Sequence, residues 1–270
     1  MRILEVNNVS HAYNTKKLFK KNKDTLVLQN LSFSIEEGQC FTLLGSSGAG
    51  KSTVGKVILG IEKPMVGQVL FMGHDLYAIK KKTSHRLRRD LQVVFQDSYS
   101  SVNSRMTAEQ IIAEPLENYE KYSPIEQRRF IIQLLEQVGM TEKDLSKYPA
   151  EFSGGQLQRI NIARALSLKP KLLVLDEPIS SLDMVNQVKI LELLKVLKEE
   201  LHLTYFFITH DIKAACILSD QIAILDKGKI VQQFQDPMHF LNSNDIIARK
   251  LQQAVLAEHP KQRTIRSNIQ

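Results

Sequence analysis

Three features of the sequence predict an α/β fold built on a largely parallel sheet. Continuously apolar runs of strand length recur, helical patterns alternate with them, and a glycine-rich turn joins one such run to one such helix. Of 270 residues, 43% are hydrophobic and 24% charged. That balance belongs to a soluble globular protein and excludes disordered, collagen-like and disulfide-stapled classes. Lys and Arg number 36 against 29 Asp and Glu, a net charge of +7. Such an excess suits nucleic acid, a nucleotide or an anionic membrane surface, without choosing among them. No run approaches the ~20 apolar residues that cross a bilayer, and the start Met-Arg-Ile-Leu-Glu-Val has no signal-peptide layout. The chain is expected to stay out of the membrane while being able to dock on something within it.

Residues 3–9 and 27–35 alternate as strands do, with Leu31, Phe33 and Ile35 on one face. Residues 40–44, 91–95, 172–175, 205–208 and 222–225 are more continuously apolar, as expected of strands covered on both faces. Helical patterns occupy 51–59, 124–138, 156–168 and 185–201. From about 98 to about 170 the chain reads as helices joined by loops, a lobe inserted into the α/β core. The expected organisation is one domain over 1–245 with that lobe nested in it, then a short tail over 246–270, frayed from Glu258. Residues 16–23 and 80–89 are basic and read as solvated surface. Cys40 and Cys216 sit in apolar runs without metal-ligand spacing and read as buried reduced thiols.

Gly45-Ser46-Ser47-Gly48-Ala49-Gly50-Lys51-Ser52 matches the phosphate-loop pattern G-x-x-x-x-G-K-[ST], between a strand and a helix as that pattern requires. Glycines let the backbone turn its N–H groups onto phosphate oxygens, and the helix N-terminus adds positive potential at the same point. Lys51 is then placed for the β- and γ-phosphates, Ser52 for Mg²⁺ and Thr53 for the α-phosphate. The strand at 172–175 ends in Asp176 and Glu177. Asp176 suits a carboxylate that holds Mg²⁺, and Glu177 suits the group that polarises an attacking water. By itself a strand ending in two acids is weak, since many strands end in acidic turns. Ser153-Gly154-Gly155-Gln156 opens a helix, with Ser153 as its cap. Alone it could be an ordinary capped helix.

Taken together, Ser-Gly-Gly-Gln after one phosphate loop and shortly before Leu-Asp-Glu-Pro resembles the signature of the ATP-binding cassette (ABC) family. The resemblance extends from residue 1 to about 235. It implies a P-loop NTPase core with a mixed or parallel sheet, an N-terminal antiparallel β subdomain and an inserted α-helical subdomain. It also implies an ATPase that uses ATP and Mg²⁺. Tyr13 matches the aromatic that stacks on adenine, with a plain surface tyrosine as the competing reading. Gln96 matches the glutamine that joins Mg²⁺ and water to the helical lobe. Ser181-Leu182-Asp183 matches the D-loop, with Asp183 at the nucleotide, and His210 matches the switch histidine at the γ-phosphate. The other histidines, His11 among them, have no such context and receive no role. Two cassettes of the family sandwich each nucleotide head to tail. Ser153 and Gly155 would therefore meet the γ-phosphate held by a partner's phosphate loop, with Gly154 and Gln156 of the same signature also counted as nucleotide-binding.

The segment from Val94 to Thr107 resembles the oligopeptide, dipeptide and nickel importer group, with Ser98 and Ser104 where that group commonly has proline. Ser98, with Gln252-Gln253-Ala254-Val255-Leu256, most resembles the second ATPase subunit of nickel importers. Oligopeptide ATPases often carry a longer, cysteine-containing extension, and this chain has no cysteine beyond Cys216. Ile179 stands where threonine is usual, with little effect expected on the chemistry. The expectation is an ATPase subunit of an importer of nickel or a related metal chelate, with a peptide importer as the alternative. Expected partners are a second ATPase in a heterodimer, two permeases and, indirectly, an extracellular solute-binding protein. The expected location is peripheral, on the cytoplasmic face of the cell membrane. A cassette acting on nucleic acid is the distant alternative. About a hundred residues separate phosphate loop and signature and keep no heptad, so no long coiled coil intervenes and nucleic acid is not an expected partner.

Overall fold

The elements run in the order β1 (Arg2–Tyr13), β2 (Thr25–Glu36), β3 (Cys40–Leu44), α1 (Lys51–Ile58), β4 (Val66–Phe71), β5 (His74–Asp75), α2 (Lys81–Asp90), β6 (Leu91–Val94), α3 (Ala108–Tyr119) and α4 (Pro124–Gln137). Two 3-10 turns follow at Glu142–Asp144 and Pro149–Glu151, then α5 (Gly154–Leu166), β7 (Leu172–Asp176), α6 (Met184–Leu201), β8 (Thr204–Thr209), α7 (Ile212–Leu218), β9 (Gln221–Asp226), β10 (Lys229–Phe234) and α8 (Pro237–Leu241). This computed structural model describes residues 1–13 and 25–242. The basic run 16–23, the boundary at 245 and the tail lie outside the described residues.

The central sheet has six strands in the order β10-β9-β3-β8-β7-β6. All neighbours are parallel except β9 and β10, so the sheet is mixed, with one antiparallel edge. The apolar runs explain themselves here. Leu173, Leu175, Tyr205 and Phe207 face a core shared with α3, α4 and α5, the inserted helical lobe. Leu172, Val174, Phe206 and Ile208 face the opposite core, shared with α1 and the first strands. Period-two alternation with both faces covered leaves few polar positions, buried Thr42 in β3 being one. The second sheet, β2-β1-β4-β5, is antiparallel and closes that opposite core, where Phe33 stacks on Phe41 at 4.8 Å.

Within 80–89, read as surface charge, the chain forms α2 and buries Leu87. One apolar residue among ten carries no readable helical period. Cys40 is fully buried, whereas Cys216 is only partly covered. Burial pushes the Cys40 thiol up to about 12, so it is protonated at neutral pH.

Strand register builds the functional edge. Leu44 pairs with Thr209, and Asp176 pairs with Ile208. The C-terminal ends of β3, β8 and β7 therefore lie side by side. The loop after Leu44, the residue after Asp176 and the residue after Thr209 emerge at one place, where open α/β sheets bind ligands.

Candidate active site

Gly45 leaves β3 against β9, and a Cβ there would lie 2.5 Å from the Leu225 carbonyl oxygen. Only glycine fits that approach. Gly50 takes φ 107° as the N-cap of α1, and no side chain caps the helix. A β-carbon would strain that turn, and the first N–H groups of α1 are left for a ligand. From behind, the Gly228 N–H donates to the Ala49 carbonyl at 2.9 Å and braces the loop.

Lys51 is almost fully buried. Its Nζ donates to the carbonyls of Gly45 at 3.0 Å and Ser46 at 3.1 Å, and lies 3.4 Å from Glu177 Oε1. The other Glu177 oxygen is 3.1 Å from His210 Nδ1. Glu177 has φ 47°, left-handed for a residue with a side chain, which stores strain where β7 turns. Three bonds over-determine that conformation: Glu177 N–H to Ile208 O at 3.0 Å, and Ser180 N–H and Oγ–H to Glu177 O at 3.2 and 3.1 Å. Ser52 Oγ donates to Asp176 Oδ1 at 3.5 Å. Burial and the Glu177 charge push the Asp176 carboxyl above its ordinary range, while Lys51 and Ser52 pull it back. A hydroxyl beside a single carboxylate that is short of positive charge suits a hard divalent cation completed by phosphate and water.

Residues 45–53, Asp176, Glu177 and His210 thus form one cluster. Tyr13 joins it through its hydroxyl, 3.4 Å from Thr53 Oγ1. Gln96 is exposed just past the end of β6, and its carbonyl accepts from Ser181 Oγ at 3.3 Å, linking the Gln96 loop to the Ser181-Leu182-Asp183 segment. The signature lies elsewhere. Ser153 caps α5 by accepting from Gln156 N–H at 3.3 Å, and Gln156 Oε1 accepts from Ser153 N–H at 3.0 Å. Gly155 packs on Asn186, and a Cβ on Gly155 would meet that side chain at 2.9 Å. The Asp183 carboxylate caps α6, accepting from the Val185 and Asn186 N–H groups at 3.1 and 3.0 Å. Among the described residues, no hydrogen bond or ion pair joins 153–156 to 45–53.

The sequence profile of the family described as ABC transporter matches residues 28–180, more than half of the chain. The chain belongs to the ABC transporter family. An oligopeptide transport ATP-binding protein of Lactococcus lactis is 39% identical over 222 residues, 80% of this chain and 70% of its own length. A nickel import ATP-binding protein of Escherichia coli is 38% identical over 265 residues, 97% of this chain and 98% of its own length. Among solved structures, the ABC cassette MJ0796 in a post-hydrolysis dimer with ADP and Pi shares 30% identity over 86% of this chain and 97% of its own, with a TM-score of 0.75. The cassette cbiO1 of Clostridium perfringens, part of the transporter complex cbiONQ, shares 29% over 93% and 94%, with a TM-score of 0.78. The cassette described above is therefore an ABC-type ATPase of the oligopeptide and nickel importer group.

Some residues of this cassette were invisible in the sequence. Asn161 Nδ2 on α5 donates to Ser98 O at 3.0 Å, and Arg164 Nη1 donates to Ser101 O at 2.9 Å. Tyr99 Oη donates to Phe152 O at 2.9 Å, directly before the signature. The available signal was a polar pair three apart, Asn161 and Arg164, on a helix otherwise mostly buried. Ile179 is buried in the core beside the helical lobe, so its methyl groups pack where threonine would bring a hydroxyl.

Proposed function

We propose that this cassette hydrolyses Mg²⁺–ATP as half of a head-to-tail pair and so drives uptake of nickel or a related metal chelate through partner permeases. The observation that supports the pairing lies within one chain: the phosphate loop, Asp176, Glu177 and His210 converge on one sheet edge, while the signature turn packs on Leu182 and Asn186 and, among the described residues, makes no hydrogen bond or ion pair to that loop. A second cassette, most simply the other ATPase of a heterodimer, would supply the missing signature. Among the described residues no helix is long and apolar enough to cross a membrane, so movement reaches the solute through permeases docked at the cytoplasmic face, with a solute-binding protein outside.

In this reading Lys51 leaves the Gly45 and Ser46 carbonyls for the β- and γ-phosphates, and Ser46, Ser47, Gly48 and Ala49 wrap the phosphates with their N–H groups. Ser52, Asp176 and Gln96 would hold Mg²⁺, whose charge would offset that of the phosphates. Glu177 Oε accepts the proton of the attacking water, and His210 steadies Glu177 and the γ-phosphate. Tyr13 stacks on adenine. Hydrolysis removes the γ-phosphate that bridges the pair, and the pair opens.

Nickel is favoured over peptide by the extent of likeness: 97% of this chain aligns with the nickel relative, against 80% with the Lactococcus oligopeptide relative. The peptide reading keeps its own support in slightly higher identity, up to 41% in a Bacillus subtilis relative named as a putative oligopeptide transport protein. Proteoliposomes holding the ATPases and permeases, supplied with binding protein, separate the two. Stimulation of ATP hydrolysis by nickel or its chelates is expected. Stimulation by di- or oligopeptides alone would remove the nickel reading.

A further inference from the structure

His11 lies two residues before Tyr13 on β1, so both side chains project from the same face of the strand. The pairing of β1 with β2 is irregular on both sides of His11. His11 is 8% exposed, and its ring meets the Tyr13 ring edge to face, with centroids 5.1 Å apart at 88°. Its Nε2 lies 3.2 Å from Glu62 Oε2, yet neither ring nitrogen nor that oxygen has an aligned hydrogen-bond partner. A buried imidazole facing a carboxylate without a formed bond is poorly explained by stability alone.

The contacts close into a ring on α1. Glu62 Oε1 accepts from Lys56 Nζ at 3.2 Å, and Lys56 lies in the last turn of α1. The Glu62 N–H donates to the Lys56 carbonyl at 3.2 Å, and Tyr77 Oη lies 2.6 Å from the Glu62 carbonyl. From Glu62 the ring passes to His11, to Tyr13, and through the Tyr13 hydroxyl to Thr53 in the first turn of α1. Burial pushes the Glu62 carboxyl up. The Tyr13 hydroxyl and the Lys56 ammonium outweigh burial and hold it below the usual carboxylate range.

We infer that His11 and Glu62 are positioning residues that hold Tyr13 at a set distance from the phosphate loop, so that base and phosphates are both gauged from α1. This rests on the reading of Tyr13 as the platform for the base. Neither residue touches the nucleotide in this scheme. They act through the tyrosine, and their effect is confined to ligands that carry a base.

Two arms test this and fail separately. The chain has no tryptophan, so Tyr13→Trp gives the full-length protein a single indole. Mg²⁺–ATP is expected to quench it, and inorganic tripolyphosphate is not. Unchanged fluorescence at ATP occupancies verified by equilibrium dialysis would remove the platform reading and the inference with it. In the second arm, with Tyr13 intact, His11→Ala and the near-isosteric Glu62→Gln are expected to weaken ATP binding fivefold to tenfold, about 1–1.4 kcal/mol. Tripolyphosphate affinity should stay within about twofold, and His11→Phe, which keeps a ring at the tyrosine, should restore most of the ATP affinity. Equal weakening of both ligands, or no change in either, would overturn the inference while leaving the platform reading intact.

Discussion

Replacing Glu177 by Gln probes the resting site and its chemistry in one variant. Gln keeps the shape of the side chain and the same tolerance for φ 47°, and removes only the charge. Lys51 Nζ and Glu177 Oε1 are 3.4 Å apart, with side chains 4% and 13% exposed. At an effective dielectric of about 20, unit charges at that distance attract by ~5 kcal/mol. After desolvation is counted, contacts of this kind contribute a net ~1.5–3 kcal/mol. Lys51 must give up this contact to reach a phosphate, so Glu177→Gln should bind ATP up to about tenfold more tightly, ~1.4 kcal/mol. Hydrolysis should fall by about 10²–10⁴ as the proton acceptor is lost. Equilibrium dialysis and single-turnover phosphate release in the assembled complex measure the two effects. Urea unfolding of the nucleotide-free chain adds a double-mutant cycle: Lys51→Met and Glu177→Gln should couple by at least ~1 kcal/mol. Additivity within ~0.5 kcal/mol, or wild-type turnover by Glu177→Gln, would refute the arrangement.

Gly45→Ala should force the phosphate loop away from the Leu225 carbonyl, costing about 1–3 kcal/mol and lowering the melting midpoint by several degrees, with weaker ATP binding; an unchanged midpoint by calorimetry contradicts this. Gly155→Ala drives a Cβ into Asn186, so the single chain should bind ATP as before while hydrolysis by the assembled complex drops at least tenfold, about 1.4 kcal/mol in barrier. Loss of ATP binding by the isolated chain would count against a signature that serves a partner. Asp144 is pushed up by burial, but bonds from Lys147 and Thr141 prevail and hold it below its ordinary value. Its stabilising effect is present above the unfolded-state value and lost as pH falls through the folded one. Asp144→Asn should therefore cost ~1–2 kcal/mol at neutral pH and nothing below the carboxylate range, as read by denaturation at the two pH values.

The loop proposed here to bind phosphate was legible because that chemistry needs fixed residue types at fixed spacing. A strand, a glycine turn and a lysine at the head of a helix appear as such in 40–58. The buried strands were legible because coverage on both faces removes polar residues. Weaker elements were not. In β10 the burial of Lys229–Phe234 reaches completion only at Phe234, and α3 carries Pro115 inside it, where a sequence pattern expects a break. The resting ion pair of Lys51 with Glu177 could not be read either, because it depends on the register of β3, β8 and β7. The left-handed turn at Glu177 has no sequence mark, since glycine or asparagine would be the expected residue there.

The bonds of Asn161 and Arg164 on α5, with that of Tyr99 to Phe152 just before it, sling the Gln96 loop from the helix that Ser153 caps. Tugging that loop means dragging the helix, because Ser98, Tyr99 and Ser101 are all tied to it or to the residue before its cap. In the head-to-tail pair proposed above, the helix's first turn would rest on the neighbour's ATP. A signal arriving at one subunit's glutamine would then be felt first at the opposite subunit's fuel, and each subunit would set the pace of the other.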